Sequence, residues 1–147
     1  MVFYNNGRFQ IGMVSFRIPD GVYLDTEFEQ EIIEGFEIID KDQLFWIVLR
    51  SETWEENAFD FFTKYVIEQE YDALGELQPF NINGLHGYKM WYVGCNRNYF
   101  EFRFDMPKGN GFPCFSIIIK CRKGTADAKD LENVEILQRL LASIRIE

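Results

Sequence analysis

The chain has 147 residues, of which 47% are hydrophobic and 17% aromatic, with fifteen phenylalanines. A disordered chain lacks the apolar side chains to offset its conformational entropy, so a packed globule is expected. One domain over residues 1–147 is the default at this length, where a single core buries roughly 70% of the unfolded chain's surface. Twenty-four acidic against fifteen basic residues give a formal net charge of -9, a field that repels a phosphate backbone and excludes nucleic acid as an expected partner.

The opening residues MVFYNNGRFQ lack a charged region ahead of an apolar stretch. No later run approaches the roughly 18 apolar residues that span a bilayer. A cytoplasmic chain without a membrane partner is expected. Cys95, Cys114 and Cys121 have no CxxC spacing, which favours reduced, structural thiols over a disulfide framework or a zinc site.

From Gln10 to Ile18, Val14, Phe16 and Ile18 alternate with Ser15 and Arg17, the period of a half-buried strand. Pro19-Asp20-Gly21 makes a turn. Further strands are expected at Val22 to Thr26 and around Ile32 to Ile39, before Asp40-Lys41-Asp42-Gln43 turns the chain. In "LFWIVL", Leu44 to Leu49, odd and even positions are both apolar, which predicts a central strand covered on both faces.

Thr53 followed by Glu56 fits a capping box opening a helix. Ala58, Phe61, Phe62 and Tyr65 then trace one helical face that reads as core. Leu77 to Ile82 is strand-like and ends at Asn83-Gly84, a dipeptide favoured in tight hairpin turns. Tyr88 to Val93 is apolar on both faces. Tyr99 to Met106 alternates cleanly, with Phe100, Phe102, Phe104 and Met106 on one side and Tyr99, Glu101, Arg103 and Asp105 on the other. One buried and one wetter face are predicted.

Pro107 to Pro113 reads as a hairpin loop and Cys114 to Cys121 as its returning strand. Leu131, Val134, Leu137, Leu141 and Ile144 form the stripe of a final amphipathic helix. The order of elements predicts an α+β fold with a largely antiparallel sheet.

Three stretches, "FRIPDGV" (Phe16 to Val22), "NINGLHGYKMWY" (Asn81 to Tyr92) and "LLASIRIE" (Leu140 to Glu147), resemble the PsbP-like superfamily. Its members include the extrinsic photosystem subunit, bacterial DcrB-like proteins and a Ran-binding nuclear import factor. The resemblance implies an antiparallel sheet flanked by helices, an α/β/α sandwich. It also implies a mostly non-enzymatic binding or assembly role, with no shared catalytic set to carry over.

His86 is the sole histidine, so metal sites needing two are excluded. Pairing it with Cys95 or Cys114 lacks a recognisable nucleophile surround, and a turn histidine beside Gly84 and Gly87 is the simpler reading. Gly84-x-x-Gly87 opens a β-type run rather than a helix, so it is not a dinucleotide loop. Glu27, Glu29 and Glu31 would share one face of an extended segment and could hold a hard cation, against the plainer reading of a charge-protected edge strand. Tyr99, Glu101, Arg103 and His86 are the candidates for an interaction surface.

No cofactor is implied. The expected function is therefore a small non-enzymatic module acting through contact with another protein, one with a basic surface. The alternative is a ligand-binding or enzymatic domain with an aromatic-lined pocket between sheet and helix.

Overall fold

The computed structural model describes residues 2–5, 7–29, 33–52, 57–67, 72–94, 96–106 and 114–147. Its first strands are β1 (Val2–Asn5), β2 (Arg8–Ile11) and β3 (Val14–Phe16). They form a small antiparallel meander, to which β12 (Arg145–Ile146) adds along β3. The long strand expected from Gln10 to Ile18 is instead divided by a turn at Gly12, whose φ is 59°.

The larger sheet holds β4 (Val22–Glu29), β5 (Ile33–Asp40), β6 (Trp46–Glu52), β9 (Leu85–Gly94), β10 (Arg97–Asp105) and β11 (Cys114–Arg122). Its order is β4-β5-β6-β11-β10-β9, and both β7 (Asp72–Ala73) and β8 (Gln78–Ile82) pair with the outer side of β9. The predicted central strand is in place: Ile47, Val48 and Leu49 of β6 are all buried. Asn83 and Gly84 take φ of 49° and 87°, the two positive values that a tight hairpin turn between β8 and β9 requires.

Helix is scarce. α1 (Ala58–Phe61) is capped by Asn57, whose Oδ1 accepts from the Asp60 backbone N–H at 2.8 Å, and it continues as a π-helical segment over Phe62–Ile67. The capping box read at Thr53 and Glu56 lies outside the described residues, as do Trp54 and the loop from 107 to 113. α2 (Glu135–Ser143) follows a 3-10 segment over Ala128–Asn133, so the expected final helix is broken at Val134. Its stripe still packs, with Leu131, Leu137, Leu140, Leu141 and Ile144 buried.

The α/β/α sandwich is thereby corrected: strand accounts for 54% and helix for 20%, in two antiparallel sheets with only short helices. One face of the large sheet carries Phe36, Ile38, Ile47, Leu49, Phe100, Phe102, Phe104, Phe115 and Ile117 into the main core. The small sheet covers part of that face through Ile11, Val14 and Phe16, with Phe16 and Phe36 ring centroids 5.6 Å apart. The 3-10 segment and α2 cover the rest. On the opposite face, Phe62 and Val66 of the π-helical segment meet Met90 and Tyr92 in a second, smaller cluster. Ten helical residues there replace the full helical layer expected.

Gly87 lets β9 and β10 close tightly, since a methyl group at that position would lie 1.9 Å from the Arg103 carbonyl oxygen and 2.8 Å from Phe104 Cα. Backbone cannot yield as a side-chain tip can. Gly87→Ala is expected to destabilise the chain by about 3 kcal/mol, read by urea unfolding at an unchanged m-value.

Candidate functional site

The residues expected on a wetter face of β10 lie largely under cover. Arg103 is 0% and Glu101 2% exposed, because α1 and the π-helical segment sit over that side of the strand. Arg103 Nε donates to Glu101 Oε2 at 3.1 Å, and Nη1 donates to Cys114 Sγ at 3.2 Å. The Tyr92 hydroxyl donates to Glu101 Oε1 at 2.7 Å. The guanidinium lies 3.4 Å from the Phe61 ring centroid, a cation–π contact strengthened by exclusion of water.

Glu101 and Arg103 are therefore removed from the expected interaction surface. Tyr99, half-buried and stacked on Tyr92 with ring centroids 4.9 Å apart, stays at its margin. Alternation alone shows that Glu101 and Arg103 share a side of β10. It does not show that their charges neutralise each other, which is what permits that side to be buried.

His86 is exposed, and its Nδ1 lies 3.0 Å from Asn81 Oδ1. Strand register aligns Asn81, His86, Asp105 and Cys114 in one row across four strands. Asp105 stands between His86 and Cys114, and its Oδ1 is already engaged as acceptor of the Ala58 backbone N–H at 2.8 Å. Cys114 is 1% exposed, so the row does not pair a nucleophile with a base. Burial raises the pKa of the Cys121 thiol, partly opposed by a backbone hydrogen bond from Ala126. Cys95 lies outside the described residues.

Of the expected cation face, Glu27 is exposed on β4, Glu29 ends that strand and Glu31 lies outside the described residues. Among the described residues no cluster of three or more His, Cys, Asp or Glu is placed to hold a metal. β4 is the edge of the large sheet. Tyr23 and Leu24 on it are 63% and 55% exposed, beside exposed Asp25 and Glu27. The turn after β5 adds Leu44, 44% exposed, at the corner where Val22 pairs with Asp40. This corner combines exposed apolar side chains with acidic neighbours. Its signal in the sequence was a Tyr-Leu pair next to an acidic run, which reads equally well as an ordinary half-buried strand.

A cleft of about 340 Å³ opens between sheet and helix, lined by Phe80, Ile82, Phe102 and Leu141 with Asn81, Glu132 and Gln138 as its polar members. Its aromatic floor is the Phe80–Phe102 pair at 4.7 Å. Lys89 Nζ lies 2.7 Å from Glu132 Oε1 and 5.2 Å from the Phe80 ring centroid. Glu132 and Gln138 escaped sequence reasoning because they only flank the apolar stripe of the last helix.

No family model matches the chain, and no curated protein matches it. No helix among the described residues is long and apolar enough to cross a membrane.

The buried Glu101–Arg103 pair sets a clear expectation. Arg103→Met alone leaves the Glu101 carboxylate buried without its counter-charge and is expected to cost roughly 3–5 kcal/mol, while Arg103→Met with Glu101→Leu costs markedly less. Chemical denaturation of the two single variants and the double variant measures this coupling.

Proposed function

We propose that this chain is a non-enzymatic binding domain that takes a segment of a partner protein at the β4 corner. Tyr23 and Leu24 carry the reading: two adjacent large apolar side chains more than half exposed on an edge strand. An edge strand offers unpaired backbone groups to an incoming strand. The apolar pair supplies burial, and Asp25 and Glu27 favour a partner segment carrying Lys or Arg. The overall charge of -9 acts in the same direction over longer range.

A photo-cross-linking residue introduced at position 23 is expected to trap one discrete partner in cells, whereas the same residue at exposed position 76 traps none. Affinity for that partner should fall at least about tenfold in Tyr23→Ser/Leu24→Ser, with the thermal midpoint moved by no more than about 3 °C, since neither side chain is in the core. Equal trapping at both positions sinks the reading.

The cleft between sheet and helix favours a second reading, a small apolar ligand resting on Phe80 and Phe102 with its polar end toward Asn81 or Gln138. Titration with indole, followed by amide chemical shifts, is expected to move Phe80, Phe102 and Leu141 together. Ala142 also lines the cleft, and Ala142→Phe, which fills it, should abolish the effect. Shifts scattered over the surface, or insensitive to this substitution, count against it.

A further inference from the structure

Three arginines gather on the small sheet of an otherwise acidic chain. Arg8 opens β2, Arg17 follows β3, and Arg145 of β12 stands directly across from Ser15 of β3. Arg8 Nε donates to Ser15 Oγ at 3.1 Å, and its Nη2 donates to the Ser143 carbonyl at the end of α2. The Ser15 hydroxyl, in a residue 1% exposed, donates in turn to Glu147 Oε1. Arg145 Nε donates to the same oxygen at 2.7 Å, and Arg8 Nε lies 3.8 Å from it. One carboxylate oxygen is thus seated by a buried hydroxyl and two guanidinium groups.

The charges in this seat do not balance. Burial together with the fields of Arg145 and Arg17 lowers the pKa of Arg8, and Glu147 only partly offsets them. The Ser15 hydrogen bond, followed by that from Arg145, holds the Glu147 carboxyl below its ordinary value. A dianion would neutralise the arginines better than a single carboxylate does, and guanidinium forks match the oxygens of phosphate. The net acidity of the chain opposes anion approach over long range. Within about 10 Å at 0.1 M salt, however, the adjacent guanidinium groups dominate the potential.

We propose that Arg8, Ser15 and Arg145, bordered by Arg17, form a binding site for a phosphate dianion, and that the Glu147 carboxylate is the internal occupant a phosphate displaces. Glu147 is the stand-in for the ligand: its Oε1 marks where a phosphate oxygen sits, within reach of the Ser15 hydroxyl and the Arg145 guanidinium.

The test is titration of the full chain with inorganic phosphate at constant ionic strength, read by amide shifts and by calorimetry. Removing the competing charge with Glu147→Gln is expected to tighten phosphate binding about tenfold, with the Ser15 and Arg145 amides responding. Arg8→Gln should lose binding at least tenfold, while Arg97→Gln, on the other sheet, leaves it unchanged.

Because Arg8 is largely buried and its loss could impair folding, Arg145→Gln, at a half-exposed side chain, provides the second variant, with circular dichroism confirming its fold. Equal affinity in the native chain and Glu147→Gln, no detectable binding to Glu147→Gln, or indifference to Arg145→Gln in a folded variant each overturns the proposal. Acetate binding more tightly than phosphate to Glu147→Gln also overturns it, as the mark of a site built for a carboxylate.

Discussion

Both faces of β10 are buried, and the architecture follows from how that is achieved. On one face Phe100, Phe102 and Phe104 enter the main core. On the other, Glu101 and Arg103 are buried as a charged pair beneath Phe61. An unpaired charge on that face would cost several kcal/mol, more than the short helix above it recovers through Phe62 and Val66. Each partner therefore makes the other's burial possible, and the Tyr92 hydroxyl and Cys114 sulfur take up further hydrogen-bonding capacity. With so little helix in the chain, the phenylalanine face needs a different cover. The small sheet supplies it through Phe9 and Phe16 against Phe36.

Much of the large sheet was legible from period-two alternation and turn chemistry. "LFWIVL" marked a strand covered on both sides, Asn83-Gly84 marked a hairpin, and the three phenylalanines of β10 marked a buried face. The failures share a cause, which is that local pattern does not report what packs above it. Polar alternation at Glu101 and Arg103 read as solvent exposure, whereas a neutralised pair can be buried. Gln10 to Ile18 read as one half-buried strand because Val14, Ser15 and Phe16 alternate in polarity. All three are buried, Ser15 among them through its hydrogen bonds. The last residues read as the end of a helix, but "RI" pairs with β3 as a strand.

The candidate sites were less legible than the fold. The exposed corner depends on β4 being an edge, a property of sheet order rather than of any window of residues. The cleft depends on which helical residues flank a stripe, and the arginine seat joins residues from opposite ends of the numbering. Each has a distinct chemistry. The corner is apolar with acidic neighbours, the cleft has an aromatic floor beside a neutralised Lys89–Glu132 pair, and the small sheet concentrates positive charge that net composition conceals.

The pairing of β12 with β3 also constrains how the chain folds during synthesis. Ser15 and Glu147 are 132 residues apart in sequence, so at 5–20 residues per second roughly 7 to 26 s separate the emergence of the two strands from the ribosome. Throughout that interval β3 has an unpaired edge, and the phenylalanines of the large sheet lack their full cover. Such an edge is a template for association with other chains. Closing so large a loop is entropically costly but only weakly dependent on its length, so the last strand can still seal the small sheet once it arrives. Chain concentration and translation speed then become determinants of folding yield, with the vulnerable period ending only when residues 145 and 146 take their place.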